Sequence, residues 1–170
     1  MTSLVPQAAP GAPPPGTVLG QHYAGCFGCG EAVAGGLHLR VKVGEGVRVA
    51  AEFQVGPQHQ GAPGLAHGGV LSSAFDEALG ALLWLLRTPG VTRRLDVEFL
   101  RPVPVGATLH IGAECLRVEG RKIFSAGEGR LDAADGPIAL RAEALFIAVP
   151  LTHFTGHGGD GTVMAARYNP

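Results

Sequence analysis

HGGVLSSAFDEALGALLWLL, residues 67–86, is the most apolar stretch of the chain, and Asp76 and Glu77 are its only acidic or basic residues apart from His67. A stretch this apolar does not lie on a protein surface. Unpaired buried carboxylates are costly, so an acidic pair kept in such surroundings needs a partner or a task. This segment therefore decides the fold and gives the best lead to function.

The segment predicts one long helix that begins near Gly68 or Gly69 and ends near Arg87, with Pro89-Gly90 as a stop signal. A helix that is apolar nearly all round is covered on more than one side. We expect a sheet to cover one side and a dimer partner to cover another.

Alternating apolar residues predict strands before and after this helix. Two strands precede it and four follow it, at 37–43, 47–53, 91–100, 107–118, 121–131 and 137–149. Short links between consecutive strands favour an antiparallel sheet packed on a single helix, an α+β fold. Leu116 falls on the opposite face from Leu109 and Ile111, which predicts a bulge near Gly112.

The length and composition predict a single domain. The chain has 170 residues, of which 46% are hydrophobic and 16% charged, enough for one ordinary core. Residues 1–18 contain five prolines and no charge, so we expect a flexible leader. The domain would then occupy 19–150, and residues 151–170, which are rich in glycine, would form a tail.

Charge and cysteine content exclude several classes of protein. The formal net charge of -1 does not provide the basic field that nucleic acids need. Neither a signal peptide nor a membrane span is apparent. Three cysteines, an odd number, do not make a disulfide framework, so we expect a cytoplasmic protein.

A stripe of small residues shares one face of the predicted helix with Asp76: Gly69, Ser72, Ser73 and Gly80. This stripe leaves room for a ligand close to the carboxylate. The free N–H groups at the helix start, around Gly68, can stabilise negative charge that develops on a carbonyl oxygen. Asp76 lies about 12 Å further along the axis, and a substrate carbonyl could lie between them.

A purely structural interpretation of the acidic pair stays open. Asp76 or Glu77 could form a buried salt bridge with Arg93 or Arg94, because structural ion pairs also perturb carboxylates. Glu77 is also a rival for the catalytic role, but it is rotated by about 100° from Asp76 on the helix.

Cys26-Phe27-Gly28-Cys29, with His22 and His38 nearby, has the spacing of half a zinc site. The third cysteine, Cys115, is far away in sequence. We therefore predict no metal and expect the cysteines to act as small buried hydrophobic residues.

The segment from Gln60 to Gly69, followed by Asp76 nine residues after His67, resembles the hotdog-fold acyl-CoA thioesterases of the PaaI-like group. Residues 90–103 resemble the next strand and turn of that family, and the resemblance covers about residues 24–149. It implies the hotdog fold, an antiparallel sheet wrapped around one long central helix.

The resemblance implies a role for four residues. Asp76 would activate water or attack the thioester directly, and the Gly68 N–H would polarise the thioester carbonyl. His67 would orient the loop or the substrate, and Thr92 would hold the attacking water from across the subunit interface. Relatives often carry Asn or Gln six residues before the histidine, where this chain has Gly61.

Further residues are expected to contact the substrate. Gly69, Ser73 and Glu77 lie beside the acid on the helix. The phosphates of coenzyme A need cations at the pocket mouth. The candidates are Arg93, Arg94, Arg101, Arg121 and Lys122.

The predicted function is therefore hydrolysis of acyl-CoA or a related thioester to the free acid and CoA. The resemblance implies no metal or organic cofactor and a homodimer that pairs into a homotetramer, with no nucleic acid or membrane partner. A hotdog dehydratase or hydratase, and a non-catalytic acyl-CoA or small-ligand binder, remain alternatives, since fold does not fix function.

Overall fold

The computed structural model describes residues 6–161 and 163 of the chain. Its strands are β1 (Val18–Leu19), β2 (Arg40–Val43), β3 (Arg48–Gln54), β4 (Gly90–Phe99), β5 (Thr108–Glu119), β6 (Lys122–Leu131) and β7 (Ile138–Ala148). Its helices are α1 (Gly68–Gly80), α2 (Leu82–Leu85) and α3 (Thr152–Gly156), and a 3-10 turn covers Pro57–His59. All strand pairs are antiparallel, in the order β1-β2-β3-β5-β6-β7-β4.

Helix α1 packs on one face of this sheet. Its fully buried face comprises Leu71, Ala74, Phe75, Ala78 and Leu79. The Phe75 ring lies directly over β6, where a Cβ built on Gly129 would be only 3.1 Å from the ring. The missing side chain therefore lets the helix approach the sheet closely, and this packing fixes the position of the polar stripe on the opposite side of α1.

The predicted α+β class and hotdog architecture are confirmed, and all six predicted strands form. The predicted bulge is in β5, but its predicted position near Gly112 is wrong. Gly112 pairs regularly with both neighbouring strands, and the register shifts between Cys115 and Arg117. Leu116 is exposed because it lies on the outer face of an alternating strand, so its position needs no bulge at Gly112.

The predicted helical segment reaches its expected end near Arg87, but it is interrupted once. Helix α1 ends at Gly80, and α2 resumes after Ala81, consistent with the weak helix propensity of glycine. Arg87 has a positive φ of 48°, which ends the helical path before the proline. Within residues 6–161 and 163, no helix has both the length and the apolar composition that a bilayer span requires.

The described part of the predicted leader lies against the domain. The Ala9 N–H donates to the Leu85 carbonyl at 2.8 Å, and the Gly16 N–H donates to the Val43 carbonyl at 2.8 Å. Residues 1–5 of the leader and residues 162 and 164–170 of the predicted tail lie outside the described residues. The flexibility of the leader and the division at 19–150 stay predictions.

Candidate functional site

Asp76 and Thr92 meet where α1 crosses β4. The Thr92 hydroxyl donates a hydrogen bond to Asp76 Oδ1 at 2.8 Å. The β4–β7 register shifts between Thr92 and Arg94, so a bulge lies directly beside this contact, and bulges re-aim side chains at strand edges. Both residues belong to the same chain, whereas the family resemblance implied that Thr92 acts from across a subunit interface.

The environment of Asp76 raises the pKa of its carboxyl group. Burial has the largest effect, because it disfavours the charged form. The hydrogen bond from Thr92 lowers the pKa, and the negative charges of Glu77 and Cys26 raise it, with a net rise. A carboxylate with a raised pKa is a stronger base, which suits proton abstraction from water.

Asp76 opens into a cleft of about 420 Å³ between α1, β4 and the loop that precedes β2. The lining residues are Cys26, Phe27, Gly28, Ser72, Ser73, Asp76, Glu77 and Leu95. The Ser72 and Ser73 hydroxyls donate back to the Gly68 and Gly69 carbonyls, so they keep close to the helix. The stripe of small residues therefore does line an open space.

One part of this cleft was not predicted from the sequence, the loop that carries the cysteine pair. Cys26, Phe27 and Gly28, here called the cysteine loop, line the cleft together with Asp76. The only sequence signal was the Cys-x-x-Cys spacing, which does not show where the loop lies in the fold.

The N-terminus of α1 is capped by His67. The Gly69 N–H donates to His67 Nδ1 at 2.9 Å, so the imidazole orients the first turn. Among the described residues, no acceptor lies opposite the Gly68 N–H. That donor is available to a ligand, and the Phe99 ring lies beside it, 3.4 Å from where a Gly68 Cβ would be.

Gly61 stands where relatives of the resembled group carry an amide side chain. A Cβ at this position would lie 3.0 Å from the His67 Cα, so the glycine leaves room for the histidine. Its neighbours do not replace the amide in the cleft. Gln60 holds its own turn by bonds to Gly64 and Pro57, and His59 is buried and bonded to Gly56 and Gly36.

Glu77 points away from the Asp76–Thr92 contact, toward the cysteine loop. Its carboxylate lies 3.6 Å from His22 Nδ1 and 3.6 Å from Cys26 Sγ. Arg94, one of the partners considered for a structural ion pair, contacts Asp96 at 2.8 Å. The two neighbouring acids therefore have different partners: Asp76 contacts Thr92, and Glu77 contacts His22 and Cys26.

The predicted phosphate-binding cations do not form one cluster in the chain. Arg101 bonds to the Ile138 carbonyl, beyond the end of β4, whereas Arg121 bonds to the Ala148 carbonyl opposite the start of β4. Lys122 follows Arg121, and Arg94 lies between the two ends. A ten-residue strand is about 33 Å long, so Arg101 and Arg121 cannot contact the same phosphate.

Sequence comparison connects this site with known proteins. Residues 63–132 match the family model described as the thioesterase superfamily. Over 100 residues, 59% of this chain, the sequence is 34% identical to acyl-coenzyme A thioesterase THEM4 of Xenopus laevis. That match covers 45% of the Xenopus protein, so the chain spans less than half the length of this relative.

Two solved structures share the fold. The PaaI protein of the E. coli phenylacetic acid degradation operon superposes with a TM-score of 0.63 at 18% identity, over 70% of this chain and 85% of that one. A hypothetical thioesterase from Streptococcus pneumoniae, solved with coenzyme A, superposes with a TM-score of 0.57 at 20% identity. This match covers 60% of this chain and 78% of the Streptococcus protein. The two structures show that the chain has the hotdog fold, and the match of residues 63–132 to the thioesterase superfamily model agrees with the resemblance stated above.

Proposed function

We propose that this protein hydrolyses acyl-CoA, or a related acyl thioester, to the free acid and CoA. One observation carries the proposal: Asp76 is held by Thr92 in an open cleft, on the same helix as the available Gly68 N–H. Thioester hydrolysis needs a base or nucleophile and a donor for the developing oxyanion, and these two groups supply them. The relative THEM4 is named an acyl-coenzyme A thioesterase, which supports the same substrate class.

The distance between the two groups favours a water-mediated route. Gly68 and Asp76 are separated by about 12 Å along the axis, and the lean of the aspartate toward the helix start reduces this to about 10 Å. If Asp76 attacked a thioester carbonyl that accepts a hydrogen bond from the Gly68 N–H, the distance from the Gly68 nitrogen to the Asp76 carboxylate would be only about 7 Å. One water between Asp76 and the carbonyl lengthens this distance to about 10 Å. We therefore assign Asp76 as a general base.

The other residues position these groups. Thr92 fixes the Asp76 carboxylate, so that its second oxygen can accept a proton from water. His67 holds the first turn of α1 and thereby aims the Gly68 N–H. Gly69 and Ser73 keep the path between the two groups free of bulky side chains.

Coenzyme A is the proposed thiol part of the substrate. The Streptococcus pneumoniae relative was solved with coenzyme A, which supports this ligand for the fold. Arg94, Arg121 and Lys122 are nearer to Thr92 along β4 than Arg101 is, so we propose them as the first candidates for phosphate contacts.

A homodimer joined along β4, which pairs further into a homotetramer, is the proposed assembly. Strand β4 is an edge of the sheet, with β7 on one side only, and Phe99 and Leu100 are 52% and 42% exposed. Exposed apolar edges are ready to pair with another strand. Light scattering after size-exclusion chromatography tests this proposal, and a monomer at micromolar concentration would contradict it.

The proposed compartment is the cytoplasm, because none of the three cysteines forms a disulfide in the structure, which is usual for proteins of a reducing compartment. The proposed hydrolysis draws its chemistry from side chains, a backbone donor and water. No cofactor takes part in any step of it.

Turnover of a panel of short acyl-CoA and aryl-acyl-CoA thioesters tests the function. We expect stoichiometric release of free thiol and carboxylic acid. Hydration of enoyl-CoA without thiol release would instead identify a hydratase. CoA binding without turnover of any panel member would identify a binding protein.

A further inference from the structure

We propose that His22, Cys26, Cys29 and Glu77 form a binding site for one zinc ion. The fold brings these four residues together, although Glu77 is separated from the other three by the whole of β2 and β3. The sequence predicted no metal, because the Cys26–Cys29 spacing supplies only half a zinc ligand set. The missing ligand comes from the helix that carries Asp76.

The geometry suits a tetrahedral ion. One ligand atom from each of the four residues lies within 4.8 Å of all the others. Cys29 Sγ is 3.0 Å from His22 Nδ1, and the Glu77 oxygens are 3.6 Å from His22 Nδ1 and from Cys26 Sγ. Ligand atoms around a tetrahedral zinc are about 3.3–3.8 Å apart, given bond lengths of about 2.0–2.3 Å. Small side-chain rotations therefore suffice to close the site.

The backbone of the cysteine loop is built for close approach. The Gly30 N–H donates to the Cys26 carbonyl at 2.8 Å, which closes the turn between the two thiols. A Cβ on Gly28 would collide with the Glu77 carboxylate, and one on Gly30 would collide with the Ala24 carbonyl. Gly30 is thus required for the tight turn of the loop, and Gly28 lets the Glu77 carboxylate lie close against it.

The donor set favours zinc over other common ions. Two sulfurs, one imidazole nitrogen and one carboxylate oxygen form a mixed set that Ca²⁺ and Mg²⁺ do not prefer. The His22 and Glu77 side chains are only 17% and 16% exposed, so an ion there would be shielded from solvent. Four protein ligands leave no open position, which is typical of a structural rather than a catalytic zinc.

The ion would fix the wall of the cleft. Cys26 and Glu77 both line the space beside Asp76, so zinc would hold the loop and the helix at a constant separation there. This consequence for substrate binding rests on the proposed function, whereas the site itself does not.

Metal analysis of the purified full chain tests the site. Protein purified without chelators from zinc-supplemented cells is expected to contain about one zinc per chain. Cys29→Ser and Glu77→Gln are expected to lower the zinc content at least tenfold. Cys115→Ala is the matched control, because this third cysteine lies on β5, outside the cluster, and its zinc content should equal that of the wild type. Zinc-free wild-type protein, or equal zinc in Glu77→Gln, overturns the proposal.

Two measurements on the wild-type chain avoid variants that fail to fold. Titration of the thiols with an organomercurial should release zinc in proportion to the thiols modified, followed with a zinc-sensitive dye. Cobalt exchanged into the site should show the intense visible bands of a tetrahedral ion and a thiolate charge-transfer band. A disulfide between Cys26 and Cys29 in protein purified under reducing conditions, or octahedral cobalt, contradicts the site. Zinc without turnover would refute only the thioesterase, and turnover by a zinc-free protein would refute only the metal site.

Discussion

Replacing Asp76 by Asn removes the carboxylate charge and keeps the size of the side chain. The Asn carbonyl can still accept the hydrogen bond that Thr92 donates at 2.8 Å, so the local structure should persist. The variant cannot take a proton from water. Loss of a general base costs about 10²- to 10⁴-fold in rate, equivalent to about 2.7–5.4 kcal/mol of transition-state stabilisation. We therefore expect kcat to fall by that factor.

The same substitution should not destabilise the protein. Burial raises the pKa of Asp76, so its ionised form disfavours the folded state at neutral pH. A raised carboxyl pKa means that stability falls as pH rises through the titration range, and the neutral Asn removes that fall. The unfolding temperature of Asp76→Asn at neutral pH should therefore equal or exceed that of the wild type.

Thiol release from the best acyl-CoA of the panel measures the effect, with thermal unfolding of the same samples. Asp135→Asn is the matched control, because Asp135 is exposed in the β6–β7 turn and the chemical change is identical. Full activity in Asp76→Asn together with an inactive Glu77→Gln would refute the assignment. An inactive Asp76→Asn that has also lost its cooperative unfolding would refute the claim that the residue acts in chemistry rather than folding.

Three other predictions concern positioning, packing and alkaline stability. Thr92→Val should lower kcat about tenfold or more and the free energy of unfolding by about 1.5–3 kcal/mol, because it removes a hydrogen bond to a charged group, and an unchanged kcat contradicts the positioning role. Phe75→Ala should lower the free energy of unfolding by about 3–5 kcal/mol in urea titration, because the fully buried ring fills the space over Gly127 and Gly129. Burial raises the pKa of Cys115 from 9.0 to about 11, so the folded state keeps the thiol proton longer and stability should fall as pH rises between those values. Cys115→Ala should remove this part of the alkaline loss, and an identical pH dependence in both proteins would contradict the assignment to that thiol.

The sequence by itself determined the order of strands and helix along the chain, the burial of the helix and the separation of Asp76 from Gly68, whereas the place of β4 beside β7 in the sheet came from the tertiary structure. Hydrophobic periodicity and helical spacing are local properties. Alternation of apolar residues along 107–118 therefore predicts a strand, and the eight-residue separation of Gly68 and Asp76 predicts their distance along the helix axis. The same local reasoning failed where the backbone departs from regularity. The bulge is near Leu116 rather than Gly112, because the pairing of β5 with β6 sets its position, and the helix is interrupted at Ala81, directly after the weak helix former Gly80.

Only the tertiary structure decided the surroundings of the two acids. Thr92 reaches Asp76 from its own chain because β4 crosses α1 at that point, and sixteen residues of sequence separation do not encode that crossing. Glu77 lies against His22 and Cys26 because the loop before β2 folds back over the helix. A carboxylate's neighbours are set by contacts distant in sequence, whereas its place on a helix is set by the residues beside it. The sequence therefore located Asp76 and Glu77, and the fold gave each of them its partners.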